Sequence, residues 1–110
     1  MISQDGRYRI VFQFDGNLVV YNANGAASWS SKTYSQGATA FSFQSDGNLV
    51  IYRNTTALWS SRTSGQWFNA TTSTLRITMQ NDGNFVEYKS PKIGTENQTA
   101  LWSSKYGRTY

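Results

Sequence analysis

Gln13-Phe14-Asp15-Gly16-Asn17-Leu18-Val19-Val20-Tyr21 recurs as Gln44-Ser45-Asp46-Gly47-Asn48-Leu49-Val50-Ile51-Tyr52 and as Gln80-Asn81-Asp82-Gly83-Asn84-Phe85-Val86-Glu87-Tyr88. All three copies satisfy Q-x-D-x-N-x-V-x-Y. The fixed residues occupy every second position. Alternate side chains of an extended strand share one face, so each copy is expected to present Gln, Asp, Asn, Val and Tyr together. Asp and Asn are depleted in strands, and a polar row adds nothing to an apolar core. A row of this kind, used three times, points to binding of a polar ligand. Asp-Gly is also a common hairpin turn, and on that reading the motif is two strands with a turn between them. Val and Tyr stay in phase with Gln, Asp and Asn, which a two-residue turn does not require. The single strand is therefore the expectation.

The repeat extends past the motif. Trp29-Ser30-Ser31, Trp59-Ser60-Ser61 and Trp102-Ser103-Ser104 follow the three copies, each trailed by a basic residue, Lys32, Arg62 or Lys105. Gln13 to Gln44 spans 31 residues and Gln44 to Gln80 spans 36. Self-similarity at such a period marks one supersecondary unit used repeatedly. The 110 residues are expected to form a single domain (1-110) of three repeats, about 1-31, 32-61 and 62-110. Apolar-alternating runs precede each motif, at Tyr8 to Phe12, Ala40 to Phe43 and Leu75 to Met79. Period 2 dominates throughout, so the fold class is all-β, with three or four short antiparallel strands per unit.

The intervening motif positions supply the other face. Phe14, Leu18 and Val20 are expected inward in the first unit, and Leu49 and Ile51 in the second. In the third, Asn81 and Glu87 break the pattern, so its back face is expected to be partly solvated. Gly16, Gly47 and Gly83 are expected to admit a neighbouring strand. The three repeat tryptophans are expected to meet in the core rather than to serve as ligand platforms. Trp67 has no counterpart and is expected at the surface or an interface, while residues 90–99 read as a loop beside the third motif.

Composition narrows the function. The chain has no cysteine, which excludes disulfides, thiolate metal sites and cysteine nucleophiles, and no histidine, the commonest general base. The net charge of +4 is scattered over ten basic residues with no stripe, so nucleic acid is not an expected partner. No apolar run approaches the ~20 residues of a membrane span. No signal peptide is visible, so a soluble chain is expected, cytoplasmic or released without a leader. Three Asn-x-Ser/Thr sequons, at Asn54, Asn69 and Asn97, carry no information in so Asn- and Thr-rich a chain. A glycosidase needs paired carboxylates about 5–10 Å apart, but only Asp5, Glu87 and Glu96 stand apart from the fixed motif positions. A calcium module needs several carboxylates per site, against one Asp per repeat. No catalytic residue, metal ligand or cofactor is assigned.

Gln, Asp, Asn and Tyr mix donors and acceptors in a way that suits hydroxyl-rich ligands, and Val offers an apolar patch to the C–H face of a sugar ring. The triplicated Q-x-D-x-N-x-V-x-Y, with Trp after each copy, resembles the bulb-type (monocot, snowdrop-like) mannose-binding lectin family over nearly the whole chain. The resemblance implies a β-prism II fold, three antiparallel sheets of about four strands around a pseudo-threefold axis, with one mannose pocket per sheet and no calcium requirement. It implies that Asp15, Asp46 and Asp82, with Asn17, Asn48 and Asn84, bind the axial O2 of mannose. Gln13, Gln44 and Gln80 would take O3, Tyr21, Tyr52 and Tyr88 would take O4, and Val19, Val50 and Val86 would touch ring carbons. Mannose and mannose-containing glycans are thus the expected partners, with agglutination of cells the expected outcome. A lectin-like bacteriocin or toxin on the same fold is the functional alternative. Plant members carry a disulfide that this chain lacks, and a longer leader that contributes strands. Met1 to Asp5 is expected to be too short for that, leaving the C-terminal segment from Trp102 to Tyr110 to seal the first sheet or to cross into a second subunit of a homodimer.

Overall fold

Each repeat folds as an antiparallel meander. Strands β1 (Arg9–Phe12), β2 (Leu18–Tyr21) and β3 (Ala27–Ser30) form the first sheet, and β4 (Ala40–Phe43), β5 (Leu49–Arg53) and β6 (Thr56–Ser60) the second. The third sheet has four strands in the order β10-β9-β8-β7, from β7 (Thr74–Met79), β8 (Phe85–Ser90), β9 (Thr99–Ser103) and β10 (Gly107–Arg108). These come from a computed structural model, which describes residues 1–65, 74–90 and 99–109. Trp67, the sequons at Asn69 and Asn97, most of the predicted loop and Tyr110 lie outside the described residues. The three-sheet, all-β architecture is the one the resemblance implies.

The motif is not one strand. Its Gln ends the strand approach, Phe14, Asp15 and Gly16 turn, and the strand resumes at Leu18. The Gln13 N–H donates to Asn17 O at 2.9 Å and the Gly16 N–H to Gln13 O at 2.9 Å. The same pair of bonds closes the turns at Gln44 and Gln80. This is a three-residue hairpin loop whose last residue is left-handed, and φ is +86° at Gly16, +91° at Gly47 and +82° at Gly83. Glycine is therefore required by backbone conformation rather than by a neighbouring strand. Close approach matters as well: a Cβ on Gly83 would meet the Tyr8 ring at 3.0 Å.

The odd loop length explains why the phase misled. Gln13 faces Asn17 across the turn, as Val11 faces Val19 and Arg9 faces Tyr21. All these positions are odd, so the fixed residues still share one face. Phe14 does not turn inward as expected; it sits at the loop tip, fully exposed.

The opposite face builds the core from Ile10, Leu18, Val20, Leu49, Ile51, Met79, Phe85 and Trp102. Trp29, Trp59 and Trp102 pair across their sheets with Val20, Ile51 and Glu87, and each pair is followed by a register shift before the motif Tyr. The three indoles meet edge to face, with centroids 5.3–5.6 Å apart and planes inclined at 69–74°. Edge-to-face packing aligns the positive rim of one ring with the negative face of the next. Three such contacts close a triangle, and the predicted central cluster is the hub of the fold.

Two further expectations are corrected. The back face of the third sheet is not solvated, because Glu87 is completely buried in the place that Val20 and Ile51 hold in the other units. The leader also contributes to the first sheet after all. Ile2 bridges Arg9, the Ser3 N–H donates to Tyr8 O at 2.8 Å, and the Ile10 N–H donates to Met1 O at 3.0 Å. The tail does not seal that sheet; Gly107 and Arg108 pair with Ser103 and Trp102 in the third. The leader has the shorter path to the β1 edge, since a tight turn at Gly6 (φ +77°) brings it back alongside.

Candidate functional site

The three motif faces carry the same hydrogen-bond pattern. Asp15, Asp46 and Asp82 each accept, through Oδ1, the backbone N–H of the Asn two residues on, all at 2.9 Å. These Asx turns fix the carboxylate against its loop and leave Oδ2 as an acceptor with no partner among the described residues. In the second unit the Gln44 Nε2 donates to the Tyr52 hydroxyl at 2.6 Å, and Gln13–Tyr21 and Gln80–Tyr88 make the same bond. The Gln carbonyl and the Tyr O–H hydrogen remain available.

The asparagines are held from behind by a feature that the sequence displayed without explaining. The second Ser of each Trp-Ser-Ser donates to the Asn Oδ1, with Ser31 to Asn17, Ser61 to Asn48 and Ser104 to Asn84, all at 3.2 Å. The same hydroxyl accepts the N–H of Leu18, Leu49 or Phe85 at 2.9–3.0 Å. A backbone N–H from Thr33, Thr63 or Lys105 adds a second bond to each Oδ1, at 3.0–3.3 Å. With the carbonyl so committed, the amide orientation is fixed and the Nδ2 donors have no partner among the described residues. Repetition of Trp-Ser-Ser after every motif copy was the signal for this latch.

Each motif face therefore offers two acceptors, Asp Oδ2 and Gln Oε1, and two donors, Asn Nδ2 and Tyr O–H. Hydroxyls both donate and accept, so this set matches adjacent hydroxyls on a ring. The motif valines lie beneath, with only 2–3% of their surface exposed. They form a floor with a narrow contact strip.

The sites differ at their edges. Arg9 stacks on Tyr21 and Arg76 on Tyr88, each guanidinium carbon 4.9 Å from the ring centroid. The equivalent partner of Tyr52 is Ala40. The sequence reading missed these arginines, although each stands four residues before the motif Gln. The turns are also braced by other units. The Ser35 N–H donates to Asp15 O at 2.8 Å, and the Asp5 N–H donates to Asn81 Oδ1 at 3.0 Å. Among the described residues, no group of three or more acidic, Cys or His side chains could hold a metal ion. No helix there is long and apolar enough to cross a membrane.

Comparison with solved structures returns lectins. The chain is 34% identical to a monomeric monocot mannose-binding lectin from Gastrodia elata, with a TM-score of 0.71 over 91% of this chain and 81% of that one. It is 31% identical to the mannose-specific agglutinin of snowdrop (Galanthus nivalis) bulbs, solved with methyl-α-D-mannoside, at a TM-score of 0.67 over 86% and 83% of the two chains. A lectin of Marasmius oreades superimposes with a TM-score of 0.73 at 28% identity, over 94% of this chain and 77% of that one. No family model and no curated protein matches the sequence.

Proposed function

The chain belongs to the monocot mannose-binding lectin family, and on that premise we propose that it is a calcium-independent lectin, one domain of three repeats with a mannose pocket on each. Lectins of this family bind sugars and are not enzymes. The observation that carries the reading is the threefold identity of the site. All three faces have the same Asx turn, the same Ser-latched Asn and the same Gln–Tyr bond.

The roles are those that the family resemblance implies, and the free atoms support them. Asp15, Asp46 and Asp82 accept from the axial O2–H of mannose while Asn17, Asn48 and Asn84 donate to the same oxygen. Gln13, Gln44 and Gln80 take O3, Tyr21, Tyr52 and Tyr88 take O4, and Val19, Val50 and Val86 meet the ring carbons. One carboxylate per pocket supports direct reading of the sugar without calcium, which calls for several. A shallow site with a few hydrogen bonds has a Kd on the order of millimolar, about −4 kcal/mol. Several such sites on one particle raise apparent affinity by about 10²–10⁴. The outer edge of β10 takes no strand among the described residues, and an open edge recruits pairing. This supports a homodimer through the C-terminal segment.

Agglutination of mannan-coated beads tests the whole reading. The intact protein should agglutinate them in the presence of a chelator, and free mannose should reverse it. Deleting residues 107–110 should lower both the mass in light scattering and the titre. Loss of agglutination on chelation would contradict calcium independence. A truncated protein with unchanged mass and titre would remove the tail from assembly.

A further inference from the structure

The three motif faces match in their polar atoms but not in what stands beside them. The second motif position is Phe14 in the first unit, Ser45 in the second and Asn81 in the third. Phe14 has 112% of its reference surface exposed at the tip of its turn. It borders a groove of about 470 Å³ lined by Val11, Phe12, Gln13, Phe14, Ala38 and Thr39. That volume lies within the range of small-molecule sites, roughly 300–1,000 Å³. The groove is not a detached patch. Gln13 lines it and also holds the Tyr21 hydroxyl on the first motif face, so the groove opens from the flank of the first pocket.

Its walls belong to two units, which explains why it forms here. Ala38 is drawn over the first turn because Gly16 has no side chain; a Cβ there would meet Ala38 Cβ at 3.0 Å. Phe12 packs towards Phe41 of the second unit, with ring centroids 6.3 Å apart. Apart from Gln13 and Thr39, every lining side chain is apolar, and none carries a charge. Such walls match neither a hydroxyl-bearing edge nor an anion. They match a flat apolar ring, which Phe14 can stack on.

We propose that this groove is an aglycone subsite of the first pocket, seating an aryl group joined to the anomeric oxygen of a bound mannoside. The proposal rests on the reading of the first motif face as a mannose pocket. It makes the three pockets unequal: only the first distinguishes an aryl from a methyl mannoside, since Ser45 and Asn81 offer no apolar platform.

The test uses a full-length background carrying Asp46→Asn and Asp82→Asn, which leaves the first pocket alone. Phenyl and methyl α-mannoside are titrated into this protein and into the same protein with Phe14→Ser. Serine occupies the equivalent position in the second unit, and Phe14 is fully exposed, so folding is retained. A stacked ring contact corresponds to a preference of about three- to tenfold for the phenyl glycoside. Phe14→Ser should reduce that preference to less than about twofold and leave methyl α-mannoside affinity unchanged. Equal binding of the two glycosides by the parent, or a preference that survives Phe14→Ser, overturns the subsite alone. Failure of methyl α-mannoside to bind overturns the pocket reading and the subsite with it.

Discussion

Trp102→Ala should lower unfolding free energy by roughly 4–5 kcal/mol, and Trp59→Ala by about 3 kcal/mol, within the range for truncating buried large aromatics. Trp102 is the most buried of the three, with 5% of its surface exposed, and it contacts the Phe85 ring as well as both other indoles. Trp59 is only partly buried, so its truncation leaves less unfilled volume. Trp102→Ala also deletes three edge-to-face contacts and Trp59→Ala two, each contributing about 0.5–1.5 kcal/mol beyond burial. Domains of this size are stable by roughly 5–15 kcal/mol, so loss of Trp102 brings the chain close to unfolding. Urea denaturation followed by circular dichroism reads the effect. Two losses of equal size, or a loss below about 1 kcal/mol for Trp102, would show that the triangle is not the hub.

The second large effect is a dependence of stability on pH set by Glu87. Its carboxyl is pushed up to about 7, chiefly by burial, with the nearby charge of Asp46 adding to the rise and the Thr63 bond opposing it. Oε2 has no partner among the described residues. Thr63 Oγ1 lies 3.0 Å from Glu87 Oε1 and 2.5 Å from Gly47 O. The threonine has one hydrogen, and Gly47 O can only accept. The hydroxyl therefore shares that hydrogen between Glu87 Oε1 and the carbonyl of the second motif turn, and its donation to Oε1 is the bond that opposes the rise.

A carboxyl raised in the folded state favours that state while it is protonated there. Its contribution is present in full below its ordinary value of 4.5 and is lost as pH rises through about 7. The gap corresponds to roughly 3 kcal/mol at 1.36 kcal/mol per pH unit. Wild-type stability should therefore fall by about that amount between pH 4.5 and 7.5 and then level off, while Glu87→Gln should be nearly flat over the same range. Glu87→Ile, which restores the residue type of the second unit, should be the more stable protein above pH 7. An identical slope in wild type and Glu87→Gln would assign the pH dependence elsewhere.

These two residues mark where sequence reading succeeds and where it stops. The tryptophan triangle was legible because threefold repetition of a large aromatic has one compact solution. The shared face of Gln, Asp, Asn, Val and Tyr was legible because alternation survives a three-residue turn. The turn itself was not: parity is the same for a straight strand and for this hairpin, and only the left-handed glycine separates them. Phe14 was misplaced for the same reason, being counted as an inward strand residue when it caps a loop. Glu87 was read as a sign of solvent because its buried neighbours are distant in sequence: Trp102 comes from the next strand, and Thr63 from the stretch after β6, 24 residues earlier. The serine latch and the arginines over Tyr21 and Tyr88 depend on cross-strand register, which composition and spacing do not contain.

The central claim, three mannose pockets built on the motif faces, is tested most directly by the side-chain amide signals of Asn17, Asn48 and Asn84 in an NMR titration. Methyl α-mannoside should shift all three with dissociation constants on the order of millimolar. Methyl α-galactoside, with an equatorial O2, should leave them in place. The Asp15→Asn/Asp46→Asn/Asp82→Asn protein should respond to neither sugar, because a donor replaces the acceptor that receives the O2 hydrogen. Shifts produced by the galactoside and not by the mannoside, or a mannoside response that survives in the triple variant, would contradict the account.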